Sequence, residues 1–337
     1  MIEIGLIYGG RSTEHDASLK SYEAFKNKLD SNKIKIVQSI FISRDGNIYI
    51  DNQLESFEKL VKVFSNSKIF YINLLHGQEG EDGCWSGITE ILGINGSFES
   101  VLTSSILMNK YFQSSAALMQ MSDELAIPKM QCLHIESFTK DLMLEAIKKL
   151  EASKIVVKPN SMGASLLTQC FDADQIQDIF NLIMQIYKFD DTVLLQEYID
   201  GEEFTCGVYS KFGQPKALPV IYVSTANGFL GHYEKHSKGN ANVQFLNTNE
   251  TQRLQIISRK LFSLFRIIGM CRFDFIVSNG IVYFLEGNLI PGFSNGSAFP
   301  QMLKCEGISL TEFVEDLVEA YSSKNKFNKL LQYNIEE

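Results

Sequence analysis

The chain has 337 residues, 45% hydrophobic and 21% charged, which is the make-up of a soluble globular protein with a sizeable core. Its length suits about two domains, or three small ones. With 31 Lys and Arg against 40 Asp and Glu, the formal net charge of −9 argues against a nucleic-acid binder, which shows a basic face. It leaves room for anionic nucleotides, which local groups hold.

Met1 leads directly into an apolar run, Ile2 to Tyr8, with no basic leader or cleavage site, so a cytoplasmic location is expected. That run predicts a strand ending at Gly9-Gly10, and Ser12, Thr13 and Asp16 open a helix reaching about Leu29. Strands are predicted over Lys35–Ile42 and Lys68–Leu75, the second ending at His76-Gly77, and a helix over Trp85–Leu92. This alternation points to a small parallel sheet with ligand-facing loops at its strand ends.

The character changes near Phe98. Helices are predicted over Met108–Leu125 and Asp141–Leu150, then a strand over Lys154–Lys158 and a small-residue loop from Pro159 to Ser165. Val193–Tyr198, Phe204–Tyr209 and Pro219–Ser224 read as strands, and 227–249 is a long polar stretch. Thr251–Ile268 is an amphipathic helix, Arg272–Glu286 a hairpin, and Ser309-Leu-Thr-Glu312 a capping box opening a last helix that ends near Ser322. This half reads as α+β on antiparallel strands. The six Cys, at 84, 132, 170, 206, 271 and 305, contain no CxxC pair and read as reduced thiols. No apolar run approaches the roughly 18 residues needed to span a membrane.

Chemistry concentrates in the hairpin, Arg272-Phe-Asp274 and Phe284-Leu-Glu286-Gly-Asn288. Glu286 and Asn288 share one strand face. A two-residue turn over Asn279-Gly280 would pair Asp274 with Leu285 and put Glu286 on the other face. A three-residue turn pairs Asp274 with Phe284 and aligns all three oxygen ligands, and that arrangement is expected here. Two carboxylates and an amide suit Mg²⁺. The bland alternative is an exposed polar face, but Phe273, Phe275 and Phe284 mark a buried hairpin, where unpaired carboxylates are costly. Lys158-Pro-Asn-Ser-Met-Gly-Ala-Ser165 can cradle phosphate through backbone N–H groups, although a surface turn explains it as well. His76-Gly-Gln-Glu-Gly-Glu-Asp-Gly83 and Gly9-Gly-Arg-Ser-Thr-Glu14 read either as ligand loops or as a mobile acidic loop and a plain helix cap.

Taken in order, these blocks resemble the D-alanine–D-alanine ligase family of ATP-grasp enzymes over nearly the whole chain. Gly9-Gly10 with Glu14 and Ser18, His76-Gly to Gly80-Glu-Asp-Gly83, Met108-Asn-Lys110 and Val157-Lys-Pro159 carry the likeness. Gly201-Glu-Glu-Phe-Thr205, Arg272-Phe-Asp274, Glu286-Gly-Asn288, Pro291-Gly-Phe293 and Ser297 complete it. The resemblance implies a three-domain ATP-grasp fold: an N-terminal parallel-sheet (pre-ATP-grasp) substrate domain at 1–98, a central domain at 99–196 and a C-terminal catalytic domain at 197–337. It implies that ATP activates a carboxylate as an acyl-phosphate, which an amine then attacks, most plausibly joining two D-alanines for peptidoglycan. Lys110, Lys158 and Ser165 would meet the ATP phosphates, Gln196, Glu197 and Ile199 the adenine, and Glu203 the ribose. Asp274, Glu286 and Asn288 would hold two Mg²⁺, with Mn²⁺ a substitute. Arg272 and the Gly292 N–H would stabilise the oxyanion. Glu14 would take the ammonium of the first amino acid, with His76 near its carboxylate, and Ser297 the carboxylate of the second. The family is usually dimeric through its N-terminal part, so a homodimer is expected.

The chain departs from the family in three places. Met162-Gly-Ala164-Ser165 stands for Glu-Gly-Ser-Ser, removing a hydroxyl that links the Glu14 position to a lid tyrosine. The lid, expected at 232–241, carries Lys235-His236-Ser237 in place of the family's Lys-Tyr, and Gln196 stands where the hinge commonly has Glu. These changes keep open a ligase of the same fold with a different acceptor or donor. A silent nucleotide-binding regulator is disfavoured by the intact Lys110, Lys158, Asp274, Glu286 and Asn288.

Overall fold

The computed structural model describes residues 1–65, 68–225, 241–294 and 296–325. In the five-stranded first sheet, β1 (Ile2–Gly9) lies parallel to β2 (Ile34–Ile42) and to β5 (Phe70–Asn73). β1 is buried from Ile4 onward because helices cover both faces, as parallel strands require. The edge adds β3 (Ile48–Ile50) and β4 (Gln53–Glu55), both antiparallel and absent from the sequence reading. Asp51 and Asn52 join them with φ of 50° and 68°, a hairpin turn that Asp and Asn tolerate. The helices of this unit are α1 (His15–Lys28), α2 (Phe57–Ser65) and α3 (Cys84–Leu92).

The helix expected over 108–125 is α5 (Lys110–Met121), and α4 (Val101–Met108), absent from the sequence reading, precedes it. Asn109 separates the two by adopting an extended conformation, and its side chain accepts the Phe112 N–H to cap α5. Lys110 therefore starts a helix, where its position is fixed. A four-stranded antiparallel sheet follows, ordered β6-β9-β7-β8, from β6 (Met130–His134), β7 (Lys154–Pro159), β8 (Gln169–Asp172) and β9 (Thr192–Glu197). Its helices α6 (Lys140–Leu150) and α7 (Ile176–Ile186) pack on it around a core of its own, including Leu133, Ile147, Val157, Ile183 and Leu195.

The third sheet has six strands: β10 (Glu202–Lys211), β11 (Gln214–Ala217), β12 (Ile221–Thr225), β13 (Ala241–Phe245), β14 (Met270–Ser278) and β15 (Ile281–Asn288). The lid expected at 232–241 lies outside the described residues except for Ala241. Helix α8 (Asn249–Leu264) shares a core with the sheet and with Leu107 and Ala117 of α4 and α5. The other core runs between units. It joins Ile4, Leu6 and Phe25 of the first to Tyr209, Phe293, Phe299 of α9 (Ala298–Cys305) and Phe313 of α10 (Leu310–Asn325). The capping box at α10 forms: Glu312 N–H donates to Ser309 Oγ at 3.2 Å, and Ser309 N–H to Glu312 Oε2 at 2.8 Å. All six cysteines are free, and burial pushes the Cys206 thiol up to about 12. Among the described residues no helix is long and apolar enough to cross a membrane.

Replacing Asn109 with Ala removes the cap of α5. Urea denaturation is expected to show a loss of about 1 kcal/mol, the usual cost of deleting such a residue.

Candidate active site

The hairpin that carries the oxygen donors is built differently from expectation. Ser278 pairs with Ile281, so the turn has two residues, Asn279 and Gly280, with φ of 51° and 77°. Both positive angles fit the tight turn that matches strand twist. That register alone would place Glu286 on the wrong face. The ladder slips between Asp274 and Phe275, however: Phe275 pairs with Phe284, and Asp274 with Glu286. Leu285 is the extra residue of a β-bulge, and such a bulge re-aims the side chains beyond it. The bulge, not the turn, brings Asp274, Glu286 and Asn288 to one face.

Basic groups surround this face. Arg272 grips Asp274 with both ends of its guanidinium, Nε to Oδ1 at 2.9 Å and Nη2 to Oδ2 at 2.8 Å. Thr205 on β10 donates its hydroxyl to Asp274 Oδ1 at 2.6 Å. Lys110 Nζ lies 3.5 Å from Glu286 and donates to the Met162 carbonyl, tying α5 to the small-residue loop. Burial works against the Arg272 charge, but Asp274 and Glu286 more than offset it and its pKa is raised. A hard cation fits here. The donors are two carboxylates and the Asn288 amide, whose oxygen is the atom able to meet a cation.

Lys158, on β7, is buried, and the loop after it holds Ala164, Ser165 and Leu167 at φ near 52°. Such a run in non-glycine residues is strained, and strain of this kind gathers at binding loops. Gln196 is buried on β9 between β6 and β7. Glu197 is turned back, one oxygen accepting the Lys129 N–H at 2.7 Å. Ile199 follows β9, and Glu203 lies on β10 between Val223 and Ile276. Glu14 stands at the N-terminus of α1. A Cβ on Gly163 would fall 2.1 Å from Glu14 Oε1, so the small-residue loop closes directly on this carboxylate. Ser297 caps α9; its hydroxyl meets Ser294 Oγ at 2.8 Å and lies against Gly292.

His76 is buried, with Nε2 2.9 Å from Ser21 Oγ. Burial lowers its pKa to about 4, and Arg272 adds to that effect. The imidazole is neutral at physiological pH.

Three groups that the sequence reading left unassigned belong to this region: Thr205, Ser21 and Glu81. Glu81 Oε2 accepts the Gly77 N–H at 2.7 Å and Oε1 the Ile290 N–H at 2.9 Å. Burial, and then the nearby Glu14, push its pKa up to about 8. Its place in the His76–Gly83 block, and that of Thr205 in the Gly201–Thr205 block, were the available signals. For Ser21 there was none beyond a serine on a helix.

A family model described as D-ala D-ala ligase C-terminus matches residues 118–319. The chain belongs to the D-alanine–D-alanine ligase family. It is 27% identical over 327 residues to D-alanine--D-alanine ligase B of Clostridium perfringens (strain 13 / Type A), covering 96% of this chain and 99% of that protein. It shares its fold with the VanG D-Ala:D-Ser ligase of Enterococcus faecalis, at TM-score 0.78 and 24% identity over 95% of this chain and 99% of that one. It also shares it with the D-alanine--D-alanine ligase of Bacillus anthracis complexed with ATP, at TM-score 0.76 and 24% identity over 97% and 99% of the two chains. In this family member the donor face, Lys110, the strained loop and Glu14 form one connected region, while the Glu197 carboxylate is turned to Lys129.

Two outcomes follow from this geometry. Gly163→Ala forces a methyl into Glu14, so activity is expected to fall about 10-fold or more while the circular-dichroism spectrum is retained. Glu81 binds its proton more tightly in the folded chain than at its ordinary value of 4.5, so stability falls as pH rises from 4.5 to about 8 and levels off above. One proton limits the slope to about 1.4 kcal/mol per pH unit. Urea titrations of Glu81→Gln across that range should show a flatter decline than the parent chain.

Proposed function

We propose that this chain is an ATP-dependent carboxylate–amine ligase that joins two D-alanines, releasing ADP and phosphate. The observation that carries the reading is the bulged hairpin. It sets Asp274, Glu286 and Asn288 on one face, between Lys110 and Arg272. The names of the relatives support the same reading.

The chemistry assigns each group a task. A carboxylate is a poor acylating agent, so its oxygen first attacks the γ-phosphorus of ATP, giving an acyl-phosphate and ADP. Such a transfer depends on positioning and on neutralising charge, which Lys110 and Lys158 supply at the phosphates, with Ser165 in the same loop. Asp274, Glu286 and Asn288 would hold Mg²⁺, which when bound spreads the phosphate charge. Gln196, Glu197 and Ile199 form the adenine side and Glu203 the ribose side. Glu197 itself is tied to Lys129 on both sides, its carboxylate accepting the Lys129 N–H and its own N–H donating to the Lys129 carbonyl at 2.9 Å. Glu14 receives the ammonium of the first amino acid, and Ser297 the carboxylate of the second. The second amine, having shed a proton, attacks the acyl carbon. Arg272 and the Gly292 N–H take the charge on the oxyanion, and collapse expels phosphate.

In this reading the three units fall at 1–98, 99–196 and 197–337, and the enzyme works as a homodimer in the cytoplasm on peptidoglycan precursors. A second reading, a ligase of the same fold with another acceptor, is favoured by Ala164. It sits in the strained loop beside the glycine that touches Glu14, and offers no hydroxyl there.

The experiment is phosphate release with Mg-ATP against D- and L-amino acids and D-lactate, with products identified by mass. D-alanine is expected to give the dipeptide, and Arg272→Lys, which loses the planar fork, to reduce kcat on the order of 100-fold. Another winning acceptor would move the assignment to the second reading. ATP binding without turnover of any amino acid would leave a nucleotide-binding regulator.

A further inference from the structure

The segment from Leu289 to Phe293 contains Gly292, the proposed oxyanion donor; Leu289 and Ile290 anchor it in the core of its own sheet, and further contacts reach it from the first unit. Ser21, on α1, has no exposed surface. Its Oγ accepts the Phe293 N–H at 3.1 Å and lies 2.9 Å from His76 Nε2. A neutral imidazole that donates from its other nitrogen to Ile290 has Nε2 as its acceptor, so the Ser21 hydroxyl gives its one proton to Nε2. The ring also bonds the Ile290 backbone, a contact that raises its basicity and so has the ring N–H as donor. Four residues further along α1, on the same helix face, Phe25 packs edge-on to Phe293 with ring centroids 5.0 Å apart. The Ile290 N–H, two residues before Gly292, donates to Glu81. Beside it lies a small cavity of about 10 Å³ whose lining mixes Glu81, Glu99 and Tyr321 with Leu289, Ile290 and Leu317.

We infer that Ser21 is a positioning residue for the oxyanion donor: through the Phe293 N–H and the His76 ring, α1 of the substrate unit sets where the Gly292 N–H points. The inference rests on the ligase reading for the role of Gly292. It rests on nothing but the geometry for the clamp itself. It also gives His76 a task other than the one the resemblance implied. With its ring engaged by Ser21 and Ile290, His76 supports the loop as a neutral bridge, not as a cation for substrate. A substrate unit that orients the oxyanion donor couples occupation of the first site to readiness for the second step.

The test uses the full chain with Ser21→Ala and Ser21→Thr, the latter keeping the hydroxyl. Amide hydrogen exchange, followed by mass spectrometry on the unliganded proteins, is expected to be faster at 289–293 in Ser21→Ala and near the parent rate in Ser21→Thr. Exchange in the four-stranded sheet should not change. With Mg-ATP and D-alanine, kcat of Ser21→Ala should drop about 10-fold with the ATP dissociation constant unchanged, the size seen when a supporting hydrogen bond is lost. A phosphinate mimic of the tetrahedral adduct should lose affinity by the same factor as kcat/KM. Phe25→Leu is the second variant should Ser21→Ala not fold, and it should loosen the same amides. Unchanged exchange at 289–293 would overturn the clamp. A kcat loss without any loss of phosphinate affinity would overturn its link to the oxyanion. If the parent chain itself turns over no amino acid, the ligase reading fails while the exchange result still decides the clamp.

Discussion

One extra residue organises the hairpin that carries the oxygen donors. Without the bulge at Leu285, the turn at Asn279-Gly280 would leave Glu286 facing away from Asp274, and the oxygen donors would be split between two environments. With it, the carboxylates converge, and they need cations close by to stay charged in a half-buried setting. Arg272 answers one and Lys110 the other. Lys110 can do so because Asn109 stops one helix and starts the next at that point. Its ammonium then reaches the Met162 carbonyl, which draws in the small-residue loop, and Gly163 brings that loop against Glu14. A local fault in a β-ladder thus leads, contact by contact, to the far end of the first unit.

The three units are joined by different physics. The first and third share a single apolar core, in which Phe293 touches Phe25 of α1, Phe299 of α9 and Phe313 of α10. Glu99, just beyond the first sheet, reinforces this from the side. Its carboxylate accepts the Ile268 and Gly269 N–H groups and the Tyr321 hydroxyl. A buried carboxylate with that many donors is well satisfied and fixes the geometry around it. The four-stranded unit has a separate core, and its described ties to α5 and α1 are polar: Asn160 to Lys110 and Tyr111, Met162 to Lys110, Gly163 against Glu14.

Much of this was legible in the sequence because it depends on local pattern. Ile2–Tyr8 and Lys154–Lys158 announce strands by short, mainly apolar runs rich in Ile and Val, and Ser309 with Glu312 announces a helix start by spacing alone. The site blocks were legible as short motifs. What escaped was whatever depends on pairing between distant segments. The bulge is a relation between two strands, and the residue that makes it, Leu285, is an ordinary leucine. Helix α4 and its separation from α5 at Asn109 were missed, because the division turns on a single capping side chain. Ser21 looks like any polar residue on an amphipathic helix. Its importance comes from His76 and Phe293, which are 55 and 272 residues away along the chain.

The separate core of the four-stranded unit has a thermodynamic consequence. If that unit shifts to admit a ligand, it breaks and remakes polar contacts and leaves the apolar interior of its neighbours covered. Such a motion exposes little hydrocarbon to water, so it carries only a small heat-capacity change. Its free-energy balance then varies weakly with temperature, and opening stays accessible in cold and warm conditions alike. The fused pair of units behaves in the opposite way. Parting them would bare the aromatic and aliphatic side chains of the shared core at once, so they are expected to separate only when the protein unfolds.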